Sequence, residues 1–316
     1  MRHSRAELNI LTVSSAVIAI AGSFLFPTIA DTLAPWLLLA SILIIGMQHG
    51  AIDHKVAEHV YGLKRNLRDQ LRFYLPYLAG MGVIALLWIF WPVIGMAVFL
   101  LMSAYHWGQA DAIALSCTEN RPHAIHNWSR GLMVIGLIVY IDPSATFGVI
   151  DAAVRGAPDW FIQTDHYSGT IIGILICAHL LLTGYGINRG HFNLHAAYLL
   201  IDNALLIALL LTTHPFIGFA IYFALWHSCG HVEEMMDFFN RHERSMSWIE
   251  FYKLSFPFTL ISFLALIPLI YVFDVTGPDS TFLAIIFILI SALTLPHMFI
   301  VDRMYIKKAP PVNSRA

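Results

Sequence analysis

The sequence predicts an all-α, polytopic membrane helix bundle with about ten transmembrane helices. Three observations predict it. Apolar residues make up 58% of the chain and charged residues only 12%, against roughly 45–50% and about 25% in a soluble domain. The apolar residues are gathered into runs that approach the roughly 17–25 residues a helix needs to cross a hydrocarbon core. The basic residues between the runs favour one side of the layer, as the Lys/Arg excess of cytoplasmic loops requires.

The ten runs fall at 8–29, 34–52, 73–90, 93–112, 128–142, 167–186, 196–213, 215–236, 251–273 and 281–301. The first follows MRHSRAELNI. It is long and has no clear small-x-small cleavage site, so it reads as a retained helix rather than a signal peptide. The third and fourth are separated only by FWPV. Pro92 has no amide hydrogen and disfavours helix in the residue before it, which makes the break plausible. The fifth run is short. Residues 143–166 read as a loop with an interfacial turn, given their Pro, Gly and acids. With the N-terminus inside and the spans alternating, 17 of the 18 basic residues fall on the inner side and only Arg155 outside. Both termini are then cytoplasmic, and the chain is a multi-pass protein of the cell membrane. No repeat of fixed period divides it, so residues 1–316 read as one integral-membrane domain. Three cysteines cannot build a disulfide framework, and a net charge of -2 gives no hint of a nucleic-acid partner.

Four apolar runs end in histidine: GMQHGAIDH at His49, YHWG at His106, WHSCGHVEE at His227 and His231, and LPHMFIVD at His297. On the alternating topology all of these ends lie at one depth, near the cytoplasmic face. In lipid a polar ring needs a partner or water, and ionisable residues face the bundle interior. His227 and His231 stand four apart on one helix face, about 6 Å along the axis, within joint reach of one ion. Imidazole suits iron, zinc and copper, so a shared metal is the leading reading of the convergence. Cys229 points to the opposite face. His54, His59, His123, His126, His191, His195 and His242 read as solvated, and His179 as hydrogen-bonded to a neighbouring helix. Asp53, Asp111, Glu233 and Glu234 are candidates to accept a proton from a ligating ring, Asp53 because it lies four residues after His49. His297 reads as shaping the pocket rather than ligating. Tyr105, Trp107, Phe223 and Trp226 are candidates to line a channel beside the site.

The motifs GMQHGAIDH, YHWG, WHSCGHVEE and LPHMFIVD together resemble the Brp/Blh family of bacterial and archaeal β-carotene 15,15′-dioxygenases, from the second helix to the tenth. Family members often carry proline before the first histidine, where this chain has Gln48. The resemblance implies a non-haem Fe(2+) enzyme that cleaves the central double bond of β-carotene with dioxygen to give two retinals. It places the iron ligands, which are also the catalytic residues, on His49, His106, His227 and His231. It implies β-carotene drawn from the bilayer as substrate and a retinal-binding rhodopsin as a partner for the product. Three other classes remain. A di-iron desaturase or hydroxylase would carry about eight histidines in boxes such as HxxHH, which this chain lacks. A histidine-relay transporter would carry charges at mid-membrane, where only Asp202 stands. A haem protein would pair histidines on facing helices.

Overall fold

The computed structural model of the protein describes residues 2–64, 66–114, 124–192, 194–242, 246–272 and 277–308. Cys117 and His123 lie outside them. The described residues of the ten apolar runs are mostly helical, and the described residues contain no β-strand. In chain order the helices are α1 (Arg2–Leu25), α2 (Pro27–Ser41), α3 (Met47–Ala51), α4 (Asp53–Tyr61), α5 (Leu67–Phe90), α6 (Pro92–Ala114), α7 (Ala124–Tyr140), α8 (Pro143–Val154), α9 (Asp159–Ile162), α10 (Ser168–Asn188), α11 (Ala196–Thr212), α12 (Pro215–Ile221), α13 (Gly230–His242), α14 (Trp248–Val272) and α15 (Ser280–Lys308). A π-helical turn, Ile42–Gly46, joins α2 to α3, and a longer π-helical segment, Tyr222–Cys229, joins α12 to α13.

Among the described residues, six helical stretches are long and apolar enough to cross a membrane: Pro27–Tyr61, Leu67–Phe90, Pro92–Asp111, Asp159–Asn188, Trp248–Tyr271 and Ser280–Ile306. A seventh is α7 with α8 if that pair, bent by 100°, counts as one span. The exterior fits an apolar solvent. Ile18, Leu25, Leu75, Phe90, Leu181, Ile261 and Tyr271 all stand exposed.

Residues 143–166, expected as a loop, are mostly helical. The Pro and Asp that suggested a loop instead cap a helix. The Asp142 side chain accepts from the Ala145 amide, Pro143 occupies the first turn, and Arg155 closes α8 in the left-handed region at φ 58. Arg155 then donates to the carbonyls of Trp88 and Ile89, which are left open at the end of α5. Arg130, which the charge alternation places among the cytoplasmic bases, is fully buried on α7. Its guanidinium meets Asp111 and Asp202, both at 2.9 Å, and Asn203 at 2.9 Å. Asp202, the one acid expected at mid-membrane, therefore has its countercharge inside the bundle.

Helix α7 packs closely on α6 and α10, α12 on α2, and α15 on α5, and the two π-helical segments pack on each other. The buried side chains form two clusters. The larger is built around Leu38, Trp88, Met133, Leu206 and Ile286. The smaller, around Val56, Met235, Phe239, Phe251 and Met304, ties α4, α13, α14 and the end of α15 together. The histidines sit where the two clusters meet.

Candidate metal centre

Helices α3, α6 and α15, together with the π-helical segment running into α13, deliver five imidazoles to one place. His49, His106, His227, His231 and His297 are each 8% exposed or less. The ring of His49 lies 5.3 Å from that of His227, 5.6 Å from His231 and 5.1 Å from His297. The ring of His106 meets the same three at 5.2, 5.6 and 5.1 Å. His231 and His297 are 5.4 Å apart. One ligand atom each from His49, His106 and His297 lie within 4.8 Å of one another.

The nitrogen atoms decide what such a cluster can do. Both ring nitrogens of His106 and of His227, Nδ1 of His49, and Nε2 of His231 and of His297 are buried without a hydrogen-bond partner. Buried polar atoms are normally paired, because an unpaired one forfeits its hydration. Five imidazoles with unpaired nitrogens around one point could hold a metal ion. The outer nitrogens of two rings are held. Nδ1 of His297 lies 2.8 Å from Asp53 Oδ1, and Nδ1 of His231 lies 3.0 Å from the hydroxyl of Tyr305. Tyr77 donates to the other oxygen of Asp53 at 2.8 Å.

The local sequence explains the placement. Gly46 ends the π-helical turn with no side chain, and a methyl group there would overlap the ring of Phe223, which needs that space to stack on His227 at 5.6 Å. Gln48, the residue that departs from the family pattern, accepts from the hydroxyls of Ser255 (3.2 Å) and Thr259 (2.6 Å), tying α3 to α14.

A cavity of about 320 Å³ opens against His49 and His297. Its walls are largely apolar, with Ile42, Met47, Phe73, Met81, Phe223, Phe258 and Leu293 among them. It reaches the exterior beside Leu78 on α5 and Ile261 on α14, which are 58% and 61% exposed. A smaller apolar cavity of about 70 Å³ is lined by Phe99, Trp107, Val149, Phe219 and Phe287. Phe223 and Phe219, 5.5 Å apart, and Trp107, 5.7 Å from His227, stand between the two cavities.

The profile of the β-carotene 15,15′-dioxygenase family matches residues 40–305, from the end of α2 to Tyr305. The chain belongs to the β-carotene 15,15′-dioxygenase family. It is 25% identical over 283 residues to the β-carotene 15,15′-dioxygenase of uncultured marine bacterium 66A03, an alignment covering 86% of this chain and 94% of that one. No solved structure matches.

In this member of the β-carotene 15,15′-dioxygenase family, the other residues singled out in the sequence separate. Asp53 pairs with His297 rather than with His49, because the helix breaks at Ile52 (φ -96, ψ 1) and turns Asp53 away from the His49 face. Asp111 pairs with no histidine. It accepts from Arg130 and from Tyr222 at 3.2 Å, so it anchors the π-helical segment to α6 and α7. Glu233 and Glu234 are buried on α13. Phe223 lines the larger cavity and Trp107 the smaller. Tyr105 packs on Trp128 instead, and Trp226 donates to Asp202 at 2.9 Å. His179 bonds Asn203 on α11 at 2.8 Å and Ser129 on α7 at 3.0 Å. His126, expected as solvated, is buried beside His179 and Phe192. Tyr77 and Tyr305 were not legible as site residues. Tyr77 reaches Asp53 from α5, and Tyr305 reaches His231 from the end of α15, contacts that local spacing does not spell out.

Proposed function

We propose that this enzyme splits the central 15,15′ double bond of β-carotene with dioxygen, giving two molecules of retinal, at a non-haem iron(II) centre inside the cell membrane. In this reading the chain crosses the membrane ten times and both termini are cytoplasmic. The observation that carries the reading is the cluster of buried imidazoles with unpaired nitrogens on the wall of an apolar cavity that opens toward the lipid-facing exterior. His49, His106, His227 and His231 are the ligands that the family resemblance assigns. Iron(II) held by neutral imidazoles keeps its full positive charge and supplies the means of activating dioxygen toward an alkene.

The chain's own residues do the remaining work. The gap beside Leu78 and Ile261 admits a rigid hydrocarbon sideways from the bilayer, so the substrate never has to enter water. Phe223, Phe258 and Met81 offer the polyene an apolar, polarisable wall and keep water from the reacting carbons. Both oxygen atoms end on the two carbons of the broken double bond. Atoms and electrons therefore balance without an added reductant, and no acid, base or nucleophile is required.

The test is expression in cells that accumulate β-carotene. The orange colour should bleach, with two C20 aldehydes formed per carotene. Chelating iron should stop the conversion, and ferrous ion should restore it. A longer apocarotenal would overturn central cleavage, and unchanged carotene with iron-loaded protein would overturn the reaction.

A further inference from the structure

We propose that His297 is itself a metal ligand, oriented by Asp53 and Tyr77, so that five imidazoles rather than four hold the ion. This rests on the reading of the cluster as an iron centre, and it departs from the four-ligand set that the resemblance implies. His297 is 3% exposed, and its ring stands 5.1 Å from His49, 5.1 Å from His106 and 5.4 Å from His231. No two rings of the cluster have centres closer than the 5.1 Å of the His297 pairs with His49 and His106. Its Nδ1 faces Asp53 Oδ1 at 2.8 Å. An ionised carboxylate only accepts, so the proton lies on Nδ1 and the lone pair on Nε2. That Nε2 is buried, has no partner, and belongs to a ring in mutual contact with three others. A ligating histidine characteristically donates its outer N–H to a carboxylate, which fixes its tautomer and raises its basicity. Of the five rings, His297 is the one the structure gives a carboxylate partner.

Asp53 adds an independent reason. It is 2% exposed, and its hydrogen-bond partners are His297 and Tyr77, with no lysine or arginine among them. A carboxylate buried with no cation is costly. A dication on the far side of the His297 ring supplies the missing positive charge. Of the five clustered rings, those of His297 and His49 line the larger cavity. The fifth ligand therefore stands on the side where dioxygen and substrate meet, and it leaves fewer open positions than a four-imidazole site.

The experiment measures metal retention rather than turnover. The full-length protein, purified in detergent and loaded with ferrous ion, is challenged with a chelator. His297→Ala should lower iron affinity on the order of 100-fold or more, because changes behind a ligand already cost about 10–100-fold. Asp53→Asn keeps an acceptor for Nδ1 but loses the charge, and it should fall within that smaller range. Free imidazole should restore retention to His297→Ala by filling the vacated position. With cobalt(II) as probe, the visible spectrum of His297→Ala should shift toward lower coordination. Size-exclusion chromatography of each variant verifies the fold. If His297→Ala misfolds, Asp53→Asn and its cobalt spectrum decide. Iron retention and cobalt spectra equal to those of the unmodified protein would overturn the role of His297. Failure of the unmodified protein to take up ferrous ion at all would instead overturn the iron reading beneath it.

Discussion

Gly131→Ala should damage the site from a distance, through the contact between α6 and α7. Gly131 and Gly108 face each other's helices so closely that a methyl group on Gly131 would overlap the carbonyl of Ala104, and one on Gly108 would overlap that of Asn127. Small residues at a membrane-helix interface permit this approach. The clashing atoms are backbone, so no side chain can rotate out of the way and the helices must part. His106 lies on α6 between Ala104 and Gly108, so it moves with them. A shift of about 1 Å at a catalytic group is enough to cost about 100-fold in rate, and overpacking of this kind costs about 1–3 kcal/mol. Gly82→Ala is the matched control, since a methyl group there meets nothing within 4 Å. It should leave activity unchanged and, by reducing the freedom of the unfolded chain, hold stability or raise it by up to about 1 kcal/mol. The assay is retinal formation per iron bound, alongside the temperature at which the detergent-solubilised protein loses its monodisperse peak. Equal rates and equal melting for the two alanine variants would refute the inference that His106 is positioned by this helix contact.

Arg130→Gln should destabilise the bundle by about 3–5 kcal/mol, because it leaves Asp111 and Asp202 buried without their cation. Adding Asp111→Asn should recover part of that loss, and thermal unfolding of the single and double variants measures both. Leu78→Trp combined with Ile261→Trp should narrow the gap between α5 and α14. β-Carotene turnover measured in vesicles should fall mainly through a higher apparent KM, with iron content unchanged, and an unaltered KM would show that substrate enters elsewhere.

The convergence of the histidines was legible because an alternating ten-span reading puts the ends of the second, fourth, eighth and tenth runs on one side. The structure brings the five rings together. Which second groups they touch was not legible. Spacing put Asp53 with His49, since four residues on an unbroken helix share a face. The break at Ile52 voids that rule and hands Asp53 to His297. Arg130 was misplaced for a different reason. Charge alternation assumes that arginine stays in water, whereas this one carries its own counterions across two helix interfaces, in Asp111 and Asp202. Composition also misled at 143–166. Proline and aspartate occur in loops and equally in helix first turns, and only their order, Asp142 then Pro143, separates the two.

The π-helical segment accounts for how one helix supplies a whole wall of the site. In an α-helix, a residue four positions on overshoots the turn by about 40°, so a column of such residues drifts around the axis. A π-helix closes its bonds five residues apart, so its wider turn holds more than four residues and a step of four falls short. When a π-helical stretch runs into an α-helix, the two drifts oppose each other. Phe223, His227 and His231 follow that path, and their rings stand almost parallel. The interplanar angle is 21° for the first pair and 6° for the second. Against the two histidines of this column the rings of His49 and His106 stand nearly perpendicular, at 81–89°. His49 follows the second π-helical turn, which packs on the first. Each π turn disturbs the regular bonding of its helix, and such turns concentrate at functional sites. Here the disturbance straightens a column of rings on one helix and aims a fourth ring at it from another. An uninterrupted α-helix would instead turn that column by about 80° between Phe223 and His231.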